Sequence, residues 1–232
     1  MLYELRMYHP APGRLEDLVE RIGSVMAPYF ERHDFPPRLG MWTAVAGTPI
    51  PLFAWLLKWR DFAHRAAAFA SLSVDQEWNA VRIKTNGDSE MVRRYDLRFL
   101  TPSEAWLPLA PVSTSSCRLV ELRVQAVAVG RTGAASDVLA TVDLPALASS
   151  GTTVAGVFDN HSGPATPGIT MLLGWSDFDR RRESLAAYEQ SSEVVAARLN
   201  ERDRWAGDHL LAERASLLLE PTRHSPRELK LL

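Results

Sequence analysis

The chain has 232 residues, of which 46% are hydrophobic and 23% are charged, and its formal net charge is −2. This length accommodates one large domain or two small ones, and the composition is typical of a soluble globular protein. The near-neutral charge argues against a nucleic-acid partner and against an anionic membrane surface. The single cysteine, Cys117, excludes an intramolecular disulfide and fits a reducing compartment.

The first residues alternate in the pattern of a β-strand, which places Glu4, Arg6 and Tyr8 on one face. They lack the basic start and the long apolar run of a signal peptide. The most apolar stretch, residues 50–57, is too short to cross a bilayer. We therefore expect a cytoplasmic protein with no membrane partner.

The rest of the first hundred residues predicts a helix, a hairpin, two shorter helices and a last strand. Apolar residues recur at helical spacing over 15–30, and two prolines then end that helix. Two β-prone runs, 41–45 and 53–59, flank a loop rich in glycine and proline. Asp61 is placed to cap an alanine-rich helix, a further helical stretch follows, and residues 91–100 form the last strand.

The second half of the chain repeats the first half in register. Leu2-Tyr-Glu-Leu-Arg6 recurs as Leu119-Val-Glu-Leu-Arg123, and the offset between matching residues stays near 117. Glycines, tryptophans and charged residues keep this offset: Gly13-Arg14 with Gly130-Arg131, Gly40-Met-Trp42 with Gly156-Val-Phe158, Trp59-Arg-Asp-Phe62 with Trp175-Ser-Asp-Phe178, and Arg65 with Arg181. Two copies of one fold, each of about 100 residues, explain this agreement.

The repeat and the composition together predict the domain boundaries. The first domain covers residues 1–102 and the second covers residues 118–221. Residues 103–117 are rich in proline and serine, as linkers are, and residues 222–232 form a tail.

Three segments of the first copy resemble the NIPSNAP family: Tyr3-Glu-Leu-Arg-Met-Tyr8, Gly40-Met-Trp-Thr43 and Trp59-Arg-Asp-Phe-Ala-His-Arg65. That family belongs to the dimeric α/β-barrel superfamily. The resemblance therefore implies an α+β fold, in which two tandem ferredoxin-like βαββαβ domains form an α/β barrel. It is closest over residues 1–109, and residues 118–221 resemble a diverged second copy.

Charged residues on the first strand of each copy are candidates for a site. Glu4 and Arg6 share one strand face, as do Glu121 and Arg123. One interpretation is a set of ion pairs that fixes strand register; the other is an anchor for an anion or carbonyl, held by Arg6. In either case we predict that these four side chains are buried and paired.

Three further features carry both a chemical and a structural interpretation. His64 lies in the first turn of its helix, where it is either a proton shuttle or a half-exposed polar residue. Arg180 takes its place in copy two, and the run 180–183 is interpreted as a solvated helix face. Asp159 and His161 form an acid–imidazole pair unless they only shape a turn.

Aromatic residues are numerous for this length, and most aromatic residues belong to cores. The alternative is that Trp42, Trp55 and Trp59 line a pocket for a flat apolar ligand. We predict this pocket in copy one, between the sheet and the helix of His64. The candidate catalytic residues are His64, Arg6 and Tyr8, and the candidates in the second domain are Asp159, His161 and Arg123.

No metal or cofactor motif is present. The six histidines lack ligand spacing, and neither a Gly-x-Gly-x-x-Gly, a Walker nor a Gly-x-Ser-x-Gly pattern occurs. We therefore predict no cofactor and no metal, although the superfamily that the resemblance implies includes haem enzymes.

The residues and the resemblance together favour a protein that binds a small hydrophobic molecule. The superfamily implies a cofactor-independent enzyme of the monooxygenase, cyclase or isomerase type. Its substrate would be aromatic or polyketide-like and would belong to specialised metabolism. The alternative is a non-catalytic scaffold or a ligand sensor. Whether the chain forms a homo-oligomer stays open.

Overall fold

The computed structural model describes residues 1–106, 112–163, 165–207, 209–229 and 231. Two prolines of the predicted linker, at positions 108 and 111, lie outside the described residues. The chain divides into two compact units. Unit 1 comprises Met1–Phe99 and Glu220–Pro226, and unit 2 comprises Leu100–Leu219 and Arg227–Leu232.

The elements of the first copy follow the predicted order. They are β1 (Leu2–Pro10), α1 (Leu15–Glu20), a π-helical turn (Arg21–Val25), α2 (Ala27–Arg32), β2 (Arg38–Ala46), β3 (Phe53–Trp59), α3 (Phe62–Ser73), α4 (Gln76–Asn86) and β4 (Val92–Pro102). The second copy repeats this order. Its elements are β5 (Leu119–Val127), α5 (Thr132–Val138), a π-helical turn (Leu139–Asp143), α6 (Leu144–Ser149), β6 (Thr153–Asn160), β7 (Gly168–Trp175), α7 (Phe178–Glu189), α8 (Ser192–Arg204) and β8 (Leu211–Pro221).

Strand pairing is antiparallel and has the same register in both copies. In unit 1, β3 pairs with β1 and β2, and Arg6 lies opposite Trp55. In unit 2, β7 pairs with β5 and β6, and Arg123 lies opposite Met171. The strand order closes on itself as β1-β3-β2-β8-β5-β7-β6-β4, which is a barrel. The α+β fold of two βαββαβ copies is therefore confirmed.

The first helix of each copy is interrupted, although the spacing in copy one predicts a single helix over residues 15–30. The π-helical turn ends three residues before Pro28 in copy one and two residues before Pro145 in copy two. Proline lacks a donor N–H and its ring crowds the carbonyl four residues earlier, so the preceding turn widens.

Side-chain caps fix the starts of the later helices. Asp61 accepts from the His64 backbone N–H at 2.7 Å, as predicted, and Asp177 accepts from Arg180 at 2.7 Å. Asp75 caps α4 in the same way. Among the described residues, every helix is too short or too polar to span a bilayer.

Candidate functional site

A buried carboxylate organises the first strand of unit 1. Glu4 is fully buried, and its carboxylate accepts from Arg6, from the Trp59 indole at 2.8 Å and from Arg65 at 2.8 and 2.9 Å. Arg6 itself is 5% exposed. A buried carboxylate of this kind is held in place because each of its oxygens has a charged or indole donor.

Unit 2 builds the same arrangement around Glu121. This residue is fully buried, and it accepts from Arg123 at 2.7 Å, from Arg181 at 2.7 and 2.9 Å and from the Ser216 hydroxyl at 2.8 Å. Burial alone would raise the pKa of Glu121, but hydrogen bonds and charge from Arg123, together with the other donors, lower it to about 2. The predicted burial and pairing on both strands is thus confirmed.

The two networks also correct an expectation about the run 180–183. Arg181 departs from the predicted solvated face, because its side chain is 22% exposed and its guanidinium reaches Glu121. Arg65 and Arg181 are partners that strand periodicity alone could not find. The signal that could have found them was their place in the repeat, at the same offset as the buried glutamates.

A cavity of about 530 Å³ lies in unit 1 between the strands and the helices. Its wall includes Arg6, Tyr8 and Trp55 from the strands, and Arg65 and Phe69 from α3. The Arg6 guanidinium carbon lies 4.8 Å from the Phe69 ring centroid and 5.4 Å from those of Tyr8 and Trp55. The guanidinium group therefore lies within cation–π distance of three aromatic rings, which favours a flat, electron-rich ligand beside it.

The Tyr8 hydroxyl is oriented by Arg6. It accepts from Arg6 Nε at 2.9 Å and from Arg6 Nη2 at 2.8 Å. Since both acceptor positions are occupied by the cation, the hydroxyl proton is left to donate elsewhere. Burial raises the pKa of Tyr8 despite the opposing charge of Arg6, so this proton is retained at neutral pH.

Two buried donors on the cavity wall have no partner among the described residues. They are Nε of Arg21, a residue 7% exposed, and Nε1 of Trp55, a residue 2% exposed. The Arg21 Nη2 group already donates to Asn86 at 2.6 Å. A buried donor without a partner costs about 1–3 kcal/mol, so such groups commonly mark a place where a ligand or water accepts.

The charged side chains on the described part of this wall are all positive. Four arginines line the cavity, namely Arg6, Arg21, Arg65 and Arg82, and no carboxylate or imidazole does so among the described residues. Burial, followed by the charge of Arg82, lowers the pKa of Arg21. Glu4 compensates Arg6 and Arg65 from behind the wall, so Arg21 is the buried cation with the least compensation.

The structure brings together some of the predicted site residues and separates others. Arg6, Tyr8 and Trp55 share the unit 1 cavity, whereas Trp42, Trp59 and His64 do not line it. His64 is turned away because α3 faces the cavity with Arg65 and Phe69, four residues apart, and the preceding residue points about 100° around the helix. Its Nε2 instead contacts the Asp34 carbonyl at 2.9 Å, and its ring packs edge-on against Trp59.

The candidates in the second copy are separated as well. Asp159 and His161 are exposed, and neither lines a cavity described here. Arg123 lines a separate cavity of about 270 Å³ within unit 2. Asp159 lies near the end of β6, where it is paired with Thr101 of β4 on one side and with Ile169 of β7 on the other.

Several wall residues were not foreseen. Arg82 of α4 and Tyr95 of β4 are examples. Trp78, which belongs to the set of aromatic residues that could line a pocket, lies on the wall four residues before Arg82. The helical spacing of Arg65, Phe69 and Leu72 was the available signal for the inner face of α3.

Within the described part of the chain, no group of three or more histidine, cysteine, aspartate or glutamate side chains could hold a metal ion.

Comparison with solved structures extends over nearly the whole chain. A chlorite dismutase from Candidatus Nitrospira defluvii has a TM-score of 0.56 at 7% identity, covering 96% of this chain and 92% of that one. A proposed monooxygenase from Fusobacterium nucleatum has a TM-score of 0.55 at 9% identity, covering 95% and 91%. At these identities the similarity shows a shared fold.

A shorter match covers only part of the chain. A NIPSNAP domain protein from Burkholderia xenovorans is 24% identical over 48% of this chain and all of its own, with a TM-score of 0.36. No curated protein matches the chain. The NIPSNAP family model matches residues 3–106, which hold β1 to β4 and the larger cavity. The similarity to the NIPSNAP family is therefore to the first copy, which is less than half of the chain.

Proposed function

We propose that unit 1 binds a flat, apolar small molecule that carries an anionic or carbonyl oxygen. The observation that supports this most is the combination on one wall of stacked aromatic rings with buried, unpartnered donors on Arg21 and Trp55. The apolar part of the ligand packs against Trp55, Phe69 and Trp78. Its oxygen accepts from Arg21 and Trp55, whose desolvation is then compensated.

The charge balance of the wall selects the sign of the ligand. A cation would meet four arginines, whereas an anion is attracted to Arg21, the cation with the least compensation. An aromatic carboxylate or the enolate of an aromatic or polyketide-like ketone satisfies both requirements. A cavity of about 530 Å³ is within the range of small-molecule sites.

The Tyr8 hydroxyl supports the proposal that the protein is a cofactor-independent enzyme. Its proton is directed away from Arg6 and is available to an oxygen on which negative charge develops. Cyclisations and isomerisations of polyketide-like ketones pass through such an enolate, and a cofactor-independent oxygenation adds dioxygen to one. Because no base lines the cavity among its described residues, water takes up the substrate proton while Tyr8 stabilises the oxygen.

Binding is tested by calorimetry with three naphthalenes of the same size. We expect 2-naphthoate to bind tightest, 2-acetylnaphthalene less tightly and 2-methylnaphthalene weakest, with about tenfold between the first and the last. Arg21→Met and Trp55→Phe should remove most of this preference. Met171→Leu, at the position in β7 equivalent to Trp55, is the matched control and should change nothing.

Equal affinity for the three compounds, or a preference that survives both unit 1 variants, rules out the proposed site.

The enzyme proposal is tested separately, by deuterium exchange at the acidic carbon of 2-tetralone in D₂O. Catalysed exchange that falls about tenfold or more in Tyr8→Phe supports an enolate-stabilising role. Binding without catalysed exchange favours a ligand sensor or scaffold instead.

A further inference from the structure

The unit 2 cavity is lined by positions equivalent to those of unit 1 but has a different chemistry. Arg123 corresponds to Arg6, since each lies opposite the equivalent residue of the neighbouring strand. Val194 corresponds to Trp78, since each donates its backbone N–H to a helix cap. The cavity of about 270 Å³ therefore lies at the equivalent place in unit 2 and has its own set of wall residues.

Asp143 is the central polar residue of this wall. It is 2% exposed, it directly precedes α6, and its Oδ1 accepts from the Tyr188 hydroxyl at 2.7 Å and from Arg198. Its Oδ2 is buried and has no partner among the described residues. A buried carboxylate oxygen without a donor is costly, so the wall holds an acceptor that a ligand can satisfy.

A buried donor without a partner lies on the same wall. Arg123 is 3% exposed, its Nε donates to Glu121, and its Nη2 has no partner in the described part of the chain. Arg198 cannot serve as a second free donor, because it is already paired with Asp143 and Glu201. Asp143 and Arg123 thus give the wall a buried acceptor and a buried donor that have no partner among the described residues.

The charges of this wall are balanced, unlike those of unit 1. Three arginines and three carboxylates line the cavity: Arg123, Arg198, Arg214, Asp143, Glu189 and Glu201. An anion alone or a cation alone would leave one of the two buried groups uncompensated. A molecule that carries both charges, or a strong donor beside a strong acceptor, satisfies both groups at once.

The remaining wall is apolar and small. Leu139, Leu147 and Met171 lie on it, and Val194 stands where unit 1 has Trp78. From these observations we propose that unit 2 binds a small zwitterion with a short apolar side chain, of which an aliphatic α-amino acid is the simplest example. The ammonium group lies against Asp143, and the carboxylate lies against Arg123.

The experiment uses the full chain and three probes of matched shape: L-leucine, 4-methylpentanoate, which lacks the ammonium group, and 3-methylbutylamine, which lacks the carboxylate. Calorimetry should show binding of L-leucine at millimolar concentration or below. Each analogue with a single charge should bind about tenfold or more weakly, since each leaves one buried group without a partner. Failure of L-leucine to bind, or equal binding of an analogue, overturns the proposal.

Two variants locate the site. Asp143→Asn keeps the shape of the residue and should weaken L-leucine binding about tenfold or more. Val194→Trp introduces the tryptophan that unit 1 has at this position, so it fills the cavity and leaves the polar network in place. This variant should abolish L-leucine binding, and it tests the site even if Asp143→Asn does not fold. Met26→Leu, at the equivalent position before α2, is the control and should bind L-leucine as the parent does. Unchanged affinity in Val194→Trp places the ligand elsewhere and also overturns the proposal.

Discussion

The two copies share a backbone and a buried ion network but differ in the walls of their cavities. Glu4 and Glu121 are both fully buried. Each is held by an arginine on its own strand and by an arginine from α3 or α7. Around these networks, Trp55 of unit 1 is replaced by Met171, and Tyr8 is replaced by Gln125. The network keeps the strand geometry constant, while the wall is free to change.

The wall residues of unit 1 and unit 2 differ in two ways. Aromatic wall residues become aliphatic, as from Trp78 to Val194, and apolar wall residues become polar, as from Leu72 to Tyr188. Met26 becomes Asp143, which introduces a buried carboxylate where unit 1 has none on its wall. One duplicated fold therefore carries two cavities whose walls differ in chemistry.

The largest effect is expected from removing the central carboxylates. Glu4→Ala and Glu121→Ala each leave two guanidinium groups without a buried counter-charge, so each should lower the free energy of unfolding by about 3–5 kcal/mol. Urea denaturation followed by circular dichroism measures both, with exposed Glu31→Ala as a control. If the free energy of unfolding fell by less than 1 kcal/mol in only one of the two variants, the two networks would not contribute equally to stability.

Acid should act on the Glu121 network over a defined pH range. The pKa of Glu121 falls from 4.5 to about 2 in the folded chain because its hydrogen bonds and charges outweigh burial. The unfolded chain therefore takes up this proton first. The contribution, on the order of 3 kcal/mol, is fully present above pH 4.5 and is lost as the pH falls toward 2. In Glu121→Gln, the free energy of unfolding should depend less on pH between about 2 and 4.5. An unchanged slope in this range would contradict a lowered pKa at Glu121.

The helix caps differ between the copies, and their removal should lower the free energy of unfolding by smaller amounts. Asp75 caps α4 and also accepts from His33 at 2.7 Å and Arg32 at 3.1 Å, whereas Ser191 caps α8 at 3.3 Å. We expect Asp75→Ala to cost about 2 kcal/mol and Ser191→Ala to cost about 1 kcal/mol in thermal or urea unfolding. The reverse order would mean that the additional contacts of Asp75 contribute nothing.

The smallest effects are expected at the third residue of α3 and α7. His64 contacts Asp34 and Trp59 outside the cavity, and Arg180 is half-exposed beside Glu183. His64→Ala should change the affinity for 2-naphthoate less than twofold, and Arg180→Ala should change stability by no more than about 0.5 kcal/mol. A His64→Ala variant that loses ligand binding would restore the earlier expectation that this histidine belongs to the site.

The sequence by itself determined the repeat, the order of elements and the residues that must be paired. Alternation over β1 places Glu4 and Arg6 on one face, and the matching alternation over β5 places Glu121 and Arg123 in the same way. Buried charges require partners, so pairing could be predicted without coordinates. The position of the cap Asp61 was likewise local information, because a cap acts within one turn.

Only the tertiary structure decided which side chains form the cavities. Arg21 and Asp143 lie on π-helical turns, where the face that a residue presents no longer follows from a spacing of 3.6 residues. His64 lies one residue before the inward face of α3, and this difference of about 100° cannot be assigned before the helix is docked on its sheet. Whether a buried donor is left without a partner depends on contacts between elements distant in sequence, and pattern alone does not contain that information.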